Sequence, residues 1–182
     1  MELNSQQVLR VTRQQAWDAL NDLEILRRAI PGCETISPDG ENNFQVVVAA
    51  AVGPVKARFR SKLQLQDIDA PNSYTMQFDG QGGAAGFGKG TAKVRLEPGE
   101  PGLTVLHYQV TAQVGGKLAQ VGSRLVDMAA QKMARDFFEK FDLVLLEVYP
   151  PAEQPAAQDK PPAKPAGLFA RLRAALGRLF GR

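Results

Sequence analysis

Val55-Lys56-Ala57-Arg58-Phe59-Arg60-Ser61-Lys62-Leu63-Gln64-Leu65 alternates residue by residue. Val55, Ala57, Phe59, Leu63 and Leu65 hold one phase, with Ser61 its single polar member, and Lys56, Arg58, Arg60, Lys62 and Gln64 hold the other. Successive side chains of a strand point to opposite faces, so this stretch predicts a strand with one dry face and one wet, basic face. The same period continues on both sides. Phe44 to Val52 precedes it; Tyr74 to Gly82 follows with Tyr74, Met76 and Phe78 in phase; Gly90, Ala92, Val94 and Leu96 alternate with Lys89, Lys93 and Arg95; and Leu103 to Val114 closes the series. Asp39-Gly40, Gly53-Pro54, Pro71-Asn72 and Pro98-Gly99 supply turn chemistry between these runs, at spacings that suit an antiparallel meander.

Outside the meander the period becomes helical. Leu3 to Leu9 reads as a short strand, Thr12 can cap a helix carrying Ala16, Trp17, Ala19 and Leu20, and a second short helix, Leu23 to Ala29, stops before Pro31-Gly32. After Gly115-Gly116, the residues Leu118, Val121, Leu125, Met128, Met133, Phe137, Phe141, Val144 and Val148 step by three to five, which predicts one long helix. A sheet with one dry face and a helix with one dry stripe must cover each other. A strongly curved sheet clasping such a helix leaves space between them, and that space is the candidate site. The apolar residues Phe59, Leu63, Met76, Phe78, Phe87, Tyr108, Leu125, Met128 and Met133 are the candidates to line it. Met128 and Met133 suit the role because thioethers adapt to irregular apolar surfaces.

Composition divides the chain of 182 residues into a domain over 1–149, a proline-rich linker over 150–166 and a terminal segment over 167–182. Six prolines from Pro150 to Pro165 favour an extended, semi-rigid spacer. At about 100° per residue, Leu168, Leu172, Leu176 and Leu179 share a face with Phe169 and Phe180. Arg171, Arg178 and Arg182 gather opposite, with Arg173 at the boundary. About 20 apolar residues are needed to span a bilayer, so this segment predicts a helix lying on an anionic membrane surface, each Arg contributing about 1 kcal/mol near such a leaflet. Packing of the same helix on the domain, its pocket or a partner protein is the alternative, since periodicity does not name the apolar surface.

Charge follows the same division. Residues 1–149 carry 16 Lys and Arg against 17 Asp and Glu, whereas residues 167–182 carry four Arg and no acid. A near-neutral domain with a basic amphipathic end points to lipid headgroups and away from nucleic acid. Arg58, Arg60, Lys62, Lys93 and Arg95, on wet sheet faces, are solvated edge charges or a docking face for an acidic partner. The N-terminus has no basic and apolar signal-peptide pattern, which predicts a cytoplasmic protein.

No catalytic or metal constellation emerges. Cys33 and His107 are the sole cysteine and histidine, which leaves no intramolecular disulfide and no Cys/His zinc set. His107 shares its phase with Gln109, Thr111 and Gln113 and is expected to face solvent; Cys33, after a Pro-Gly turn, is expected to be a packing residue. Asp67, Asp69 and Asp79 lack the pattern of a calcium loop. Gly83-Ala84-Ala85-Gly86-Phe87-Gly88-Lys89-Gly90 approaches a phosphate loop, but Gly90 stands where the hydroxyl residue belongs and the segment lies between strands. Its glycines serve sheet curvature or close approach of a ligand, with Phe87 and Lys89 at an entrance.

Four motifs carry a resemblance: Ala29-Ile30-Pro31-Gly32-Cys33-Glu34; Val52-Gly53-Pro54-Val55-Lys56-Ala57-Arg58-Phe59; Gly80-Gln81-Gly82-Gly83-Ala84-Ala85-Gly86-Phe87; and Gln113-Val114-Gly115-Gly116-Lys117-Leu118-Ala119-Gln120. In order and over residues 1 to about 148, they resemble the carbon monoxide dehydrogenase CoxG family within the START-like helix-grip superfamily. The resemblance implies an α+β helix-grip fold, a curved antiparallel sheet around a long C-terminal helix. It implies an accessory protein without redox centres, serving a molybdenum hydroxylase of the carbon monoxide dehydrogenase type at the inner face of the cytoplasmic membrane. It further implies a quinone, menaquinone or ubiquinone, carried as electron acceptor. Two other readings fit the same residues: a small lyase or cyclase acting in the same cavity, for which the dry face offers mainly Ser61 and Tyr108, and a purely structural adaptor. A cavity below about 300 Å³ favours the adaptor.

Overall fold

The computed structural model describes residues 1–150; the segment 167–182 and its expected membrane helix lie outside the described residues. The chain opens with β1 (Glu2–Leu9) and two short helices, α1 (Arg13–Asn21) and α2 (Leu23–Ala29). Thr12 starts α1 through a reciprocal cap: its backbone N–H donates to Gln15 Oε1 at 2.9 Å and its hydroxyl accepts from the Gln15 N–H at 3.4 Å. Asp22 both ends α1 and starts α2, its Oδ1 accepting from the N–H groups of Glu24 at 2.8 Å and Ile25 at 3.1 Å. Six strands follow: β2 (Cys33–Pro38), β3 (Asn43–Val52), β4 (Val55–Asp69), β5 (Ser73–Gln81), β6 (Phe87–Pro98) and β7 (Thr104–Gly115). Together with β1 they form one seven-stranded antiparallel sheet in the order β1-β7-β6-β5-β4-β3-β2.

The alternation read in the sequence sets the two faces. Along β4 every residue from Lys56 to Gln64 at an even position is exposed, and the odd positions are half-buried. The helix that covers the dry face differs from expectation in one respect. It is not continuous from Leu118: a short α3 (Lys117–Gln120) is followed by a break at Gly122 and then α4 (Ser123–Val148). Gly122 has φ +93°, which side-chain-bearing residues avoid, and this conformation redirects the chain between the two helices. The structure also adds β2, an edge strand within the region read as turn and connection, and a single 3-10 turn at Gly83–Ala85 linking β5 to β6.

The core is concentrated at one end. Leu9, Val11, Ala16, Ala19, Ile25, Ala29, Leu96, Leu106, Phe141, Val144 and Leu145 are buried together where α1, α2 and the second half of α4 meet the sheet. Thr104, fully buried, donates its hydroxyl to Val11 O at 2.8 Å, so its polar atom is satisfied. The two edges of the sheet are treated differently. β2 is short, carries a bulge between Cys33 and Thr35 and ends in Pro38. β1 is clipped to α4 by an ion pair between Arg10 and Asp142 at 2.8 Å.

Candidate functional site

At the other end of the grip the sheet and α4 separate, enclosing a cavity of about 490 Å³. Cross-strand rows build its floor. Leu63, Phe78, Gly90 and Ala112 follow one another across β4 to β7; the next row is Leu65, Met76, Ala92 and Val110; the third is Tyr74, Val94 and Tyr108. Large side chains from β4 and β5 thus face small ones on β6. Gly90 is the extreme case, since a Cβ there would lie 2.9 Å from Phe78 Cζ, so the Phe78 ring occupies the space that any side chain would need. Leu20, Asn21, Leu23 and Leu26 of the α1–α2 corner, with Ile30, Pro31 and Ile36, form one wall. Ala130, Met133, Ala134, Phe137 and Phe138 of α4 form the roof.

Of the residues singled out by sequence, Leu63, Met76, Phe78, Tyr108 and Met133 line this cavity. Phe59, Phe87, Leu125 and Met128 do not, and each has a physical reason. Phe59 has the inner-face phase but lies past the last β4–β5 pair, Arg60 with Gln81, so its ring covers Gly82. Phe87 shares its phase with Lys89, Lys93 and Arg95 and belongs to the outer face, where Lys89 Nζ stands 5.9 Å from its ring centroid. Leu125 reaches toward the β3–β4 hairpin at Gly53, and Met128 is 57% exposed on the far side of the helix. The residues that sequence reasoning missed are the small ones, Ala92, Ala130 and Ala134, together with the α1–α2 corner. Alanine on the dry phase opposite large residues is the signal for a gap, but pairing must be known before it can be read.

The lining contains no Asp, Glu, Lys, Arg, His, Cys, Ser or Thr. Its polar side-chain groups are the Asn21 amide and the hydroxyls of Tyr74 and Tyr108. Asn21 Nδ2 donates to Trp17 O at 2.8 Å. Neither phenol finds a hydrogen-bond partner among the described residues. Burial pushes the Tyr74 phenol up to about 12, so it stays a neutral donor at ordinary pH. The Tyr74 ring meets Trp17 edge-on at 5.8 Å, and Tyr108 leans on Phe138 at 5.2 Å.

The remaining candidates fall away from the cavity. Ser61 is on the inner face but against Gly80, outside the lining. His107, expected to face solvent, is on the outer face yet half-buried, its Nε2 bonded to Glu97 Oε2 at 2.9 Å. Burial pushes the Cys33 thiol up, opposed by the nearby Arg27 charge, which favours the protonated and less reactive form. Arg58 pairs with Glu34 at 2.8 Å and Arg95 pairs with Glu97, so part of the basic outer face is already neutralised. No helix among the described residues is long and apolar enough to cross a membrane.

An apolar chamber between a curved antiparallel sheet and a C-terminal helix meets the expectation that the four motifs raised. Residues 6–145 match the family model for the G-type subunit of carbon monoxide dehydrogenase, CoxG. The chain belongs to that family. No curated protein matches it significantly. Among solved structures, a conserved protein from Geobacillus kaustophilus aligns at 28% identity with a TM-score of 0.76, covering 81% of this chain and 96% of that one. A START superfamily protein from Mycobacterium smegmatis aligns at 10% identity and TM-score 0.64, over 81% and 98% of the two chains. An aromatase/cyclase from a Streptomyces species aligns at 12% identity and TM-score 0.58, over 81% and 95%. These last two show the fold alone: the chain has the START-like helix-grip architecture. The CoxG family and this fold together suggest an accessory protein that binds a hydrophobic ligand.

Proposed function

We propose that this CoxG-family protein carries a quinone-like lipid in the cavity and brings a molybdenum hydroxylase of the carbon monoxide dehydrogenase type to the inner face of the cytoplasmic membrane. The cavity supports the carrier reading most directly. Its volume of about 490 Å³ exceeds the roughly 300 Å³ lower bound of small-molecule sites, which argues against a purely structural adaptor. Its lining lacks an acid, a base or an activated nucleophile, which favours carriage over lyase or cyclase chemistry. Membrane recruitment rests on the segregation of Leu and Phe from Arg over residues 167–182.

Two measurements test the proposal. Solvent extraction and mass spectrometry of gently purified full-length protein should find a prenylated quinone in substoichiometric to stoichiometric amount; reproducible absence of any prenyl lipid counts against the carrier role. In flotation with anionic vesicles, Leu172→Glu combined with Leu176→Glu should leave most of the protein unbound, whereas flotation equal to wild type removes the terminal segment from the account. Copurification with a molybdenum hydroxylase tests the partner.

A further inference from the structure

Within a chamber otherwise walled by hydrocarbon, two unpartnered hydroxyls converge on one row of the sheet. Tyr74 on β5 pairs with Val94 on β6, and Val94 pairs with Tyr108 on β7. The two tyrosines therefore stand two strand spacings apart, about 10 Å, on the same face and with only Val94 between them. Ala92, the inward neighbour of Val94 on β6, is smaller still. The result is a slot with aromatic sides and a shallow floor. Trp17 closes against Tyr74 from α1, and Phe138 closes against Tyr108 from α4. An unsatisfied hydroxyl facing an apolar space costs free energy that a ligand oxygen would recover. An aliphatic ligand would leave both phenols unpaired. A ring bearing an acceptor oxygen would pair at least one of them, with the rest of the molecule lying along Leu65, Met76 and the α4 roof.

We propose that Tyr74 and Tyr108 form the polar end of the cavity and hold, by hydroxyl donation, the oxygen-bearing ring of an otherwise apolar ligand over Val94 and Ala92. This rests on the reading that the cavity houses a ligand. It adds what selects that ligand: a flat ring carrying a carbonyl or equivalent acceptor, bound ring-first with its hydrocarbon elsewhere in the chamber.

Trp17 is the single tryptophan of the chain and touches Tyr74, so its emission reports on the slot. Full-length wild type, Tyr74→Phe, Tyr108→Phe and the double variant are titrated with decyl-benzoquinone, read by quenching of Trp17, and separately with diphenylhexatriene, a hydrocarbon that fluoresces on burial. Each single variant should weaken the benzoquinone about fivefold, the typical effect of one lost hydrogen bond, and the double variant more, while diphenylhexatriene binds all four proteins alike. Unchanged benzoquinone affinity in both single variants and in the double variant overturns the inference and leaves the carrier reading intact. Equal weakening of both probes overturns it as well, because it assigns the rings to packing alone. Failure of wild type to bind either probe removes the carrier reading and this inference together.

Discussion

The two halves of α4 share one helix and one sheet yet do opposite things. From Phe137 onward the helix turns aromatic and branched side chains inward: Phe137 stacks on Phe141 at 5.3 Å, and Phe141, Val144 and Leu145 are buried against α1, α2 and the sheet. Before Phe137 it turns Ala130 and Ala134 inward, and of its other apolar residues Leu125, Met128 and Met133 are substantially exposed. A phenylalanine fills the gap between helix and sheet and an alanine leaves it open. Stability and binding capacity are thereby assigned to different turns of the same element, so each can be altered with little effect on the other.

The sharpest way to break this division is at the closed half. Phe141→Ala should lower unfolding stability by about 3–5 kcal/mol in urea titration, the usual cost of deleting a fully buried aromatic. Met128→Ala, on the exposed side of the open half, should stay within about 0.5 kcal/mol. Next in size is a pH effect at the edge of the open half. The Tyr74 phenol is held up to about 12 by burial, against about 10 for an unfolded chain. The folded state is unaffected while both forms are protonated; stability falls as pH rises from about 10 to 12, where the unfolded phenol ionises and the buried one resists. The loss is about 2 kcal/mol. Tyr74→Phe should remove that portion of the alkaline decline, seen by comparing urea midpoints of the two proteins across this range.

Smaller effects sharpen the comparison. Ala134→Phe would extend the closed half into the cavity. Retained lipid should drop about tenfold or more, equivalent to about 1.4 kcal/mol, with the melting transition kept; undiminished lipid would place the ligand away from the roof. Thr12→Ala removes the capping box of α1 at the closed end and should cost about 1 kcal/mol in thermal or urea unfolding, with lipid content unchanged.

The sheet is legible in the sequence because its inner strands bury one face, and burial imprints a period of two on stretches such as Val55 to Leu65. β2 is not, because an edge strand with one clearly inward apolar residue, Ile36, framed by Gly32 and Pro38, carries almost no period. The break at Gly122 is hidden because the helical spacing of Leu118, Val121 and Leu125 runs straight across it. Within the cavity, Leu63, Met76, Phe78 and Tyr108 can be named from phase alone. Phe87 shows the limit of that approach: apolar character suggests the inner face, but two-residue spacing from Lys89 puts it outside. Phe59 shows another limit, since phase gives the face and not the position along it. Tyr74 enters the sequence only as part of the strand pattern, because its isolation as a polar group becomes visible when the neighbouring rows are known.

A broad antiparallel sheet that keeps one end hollow has fewer side chains holding it shut, and such sheets are at risk of recruiting copies of themselves along unpaired margins. Here each margin carries its own deterrent. The kinked, proline-ended β2 offers a poor template on one flank, and the Arg10–Asp142 clasp draws a helix across the other. The molecule can therefore stay hollow for cargo without inviting lateral polymerisation.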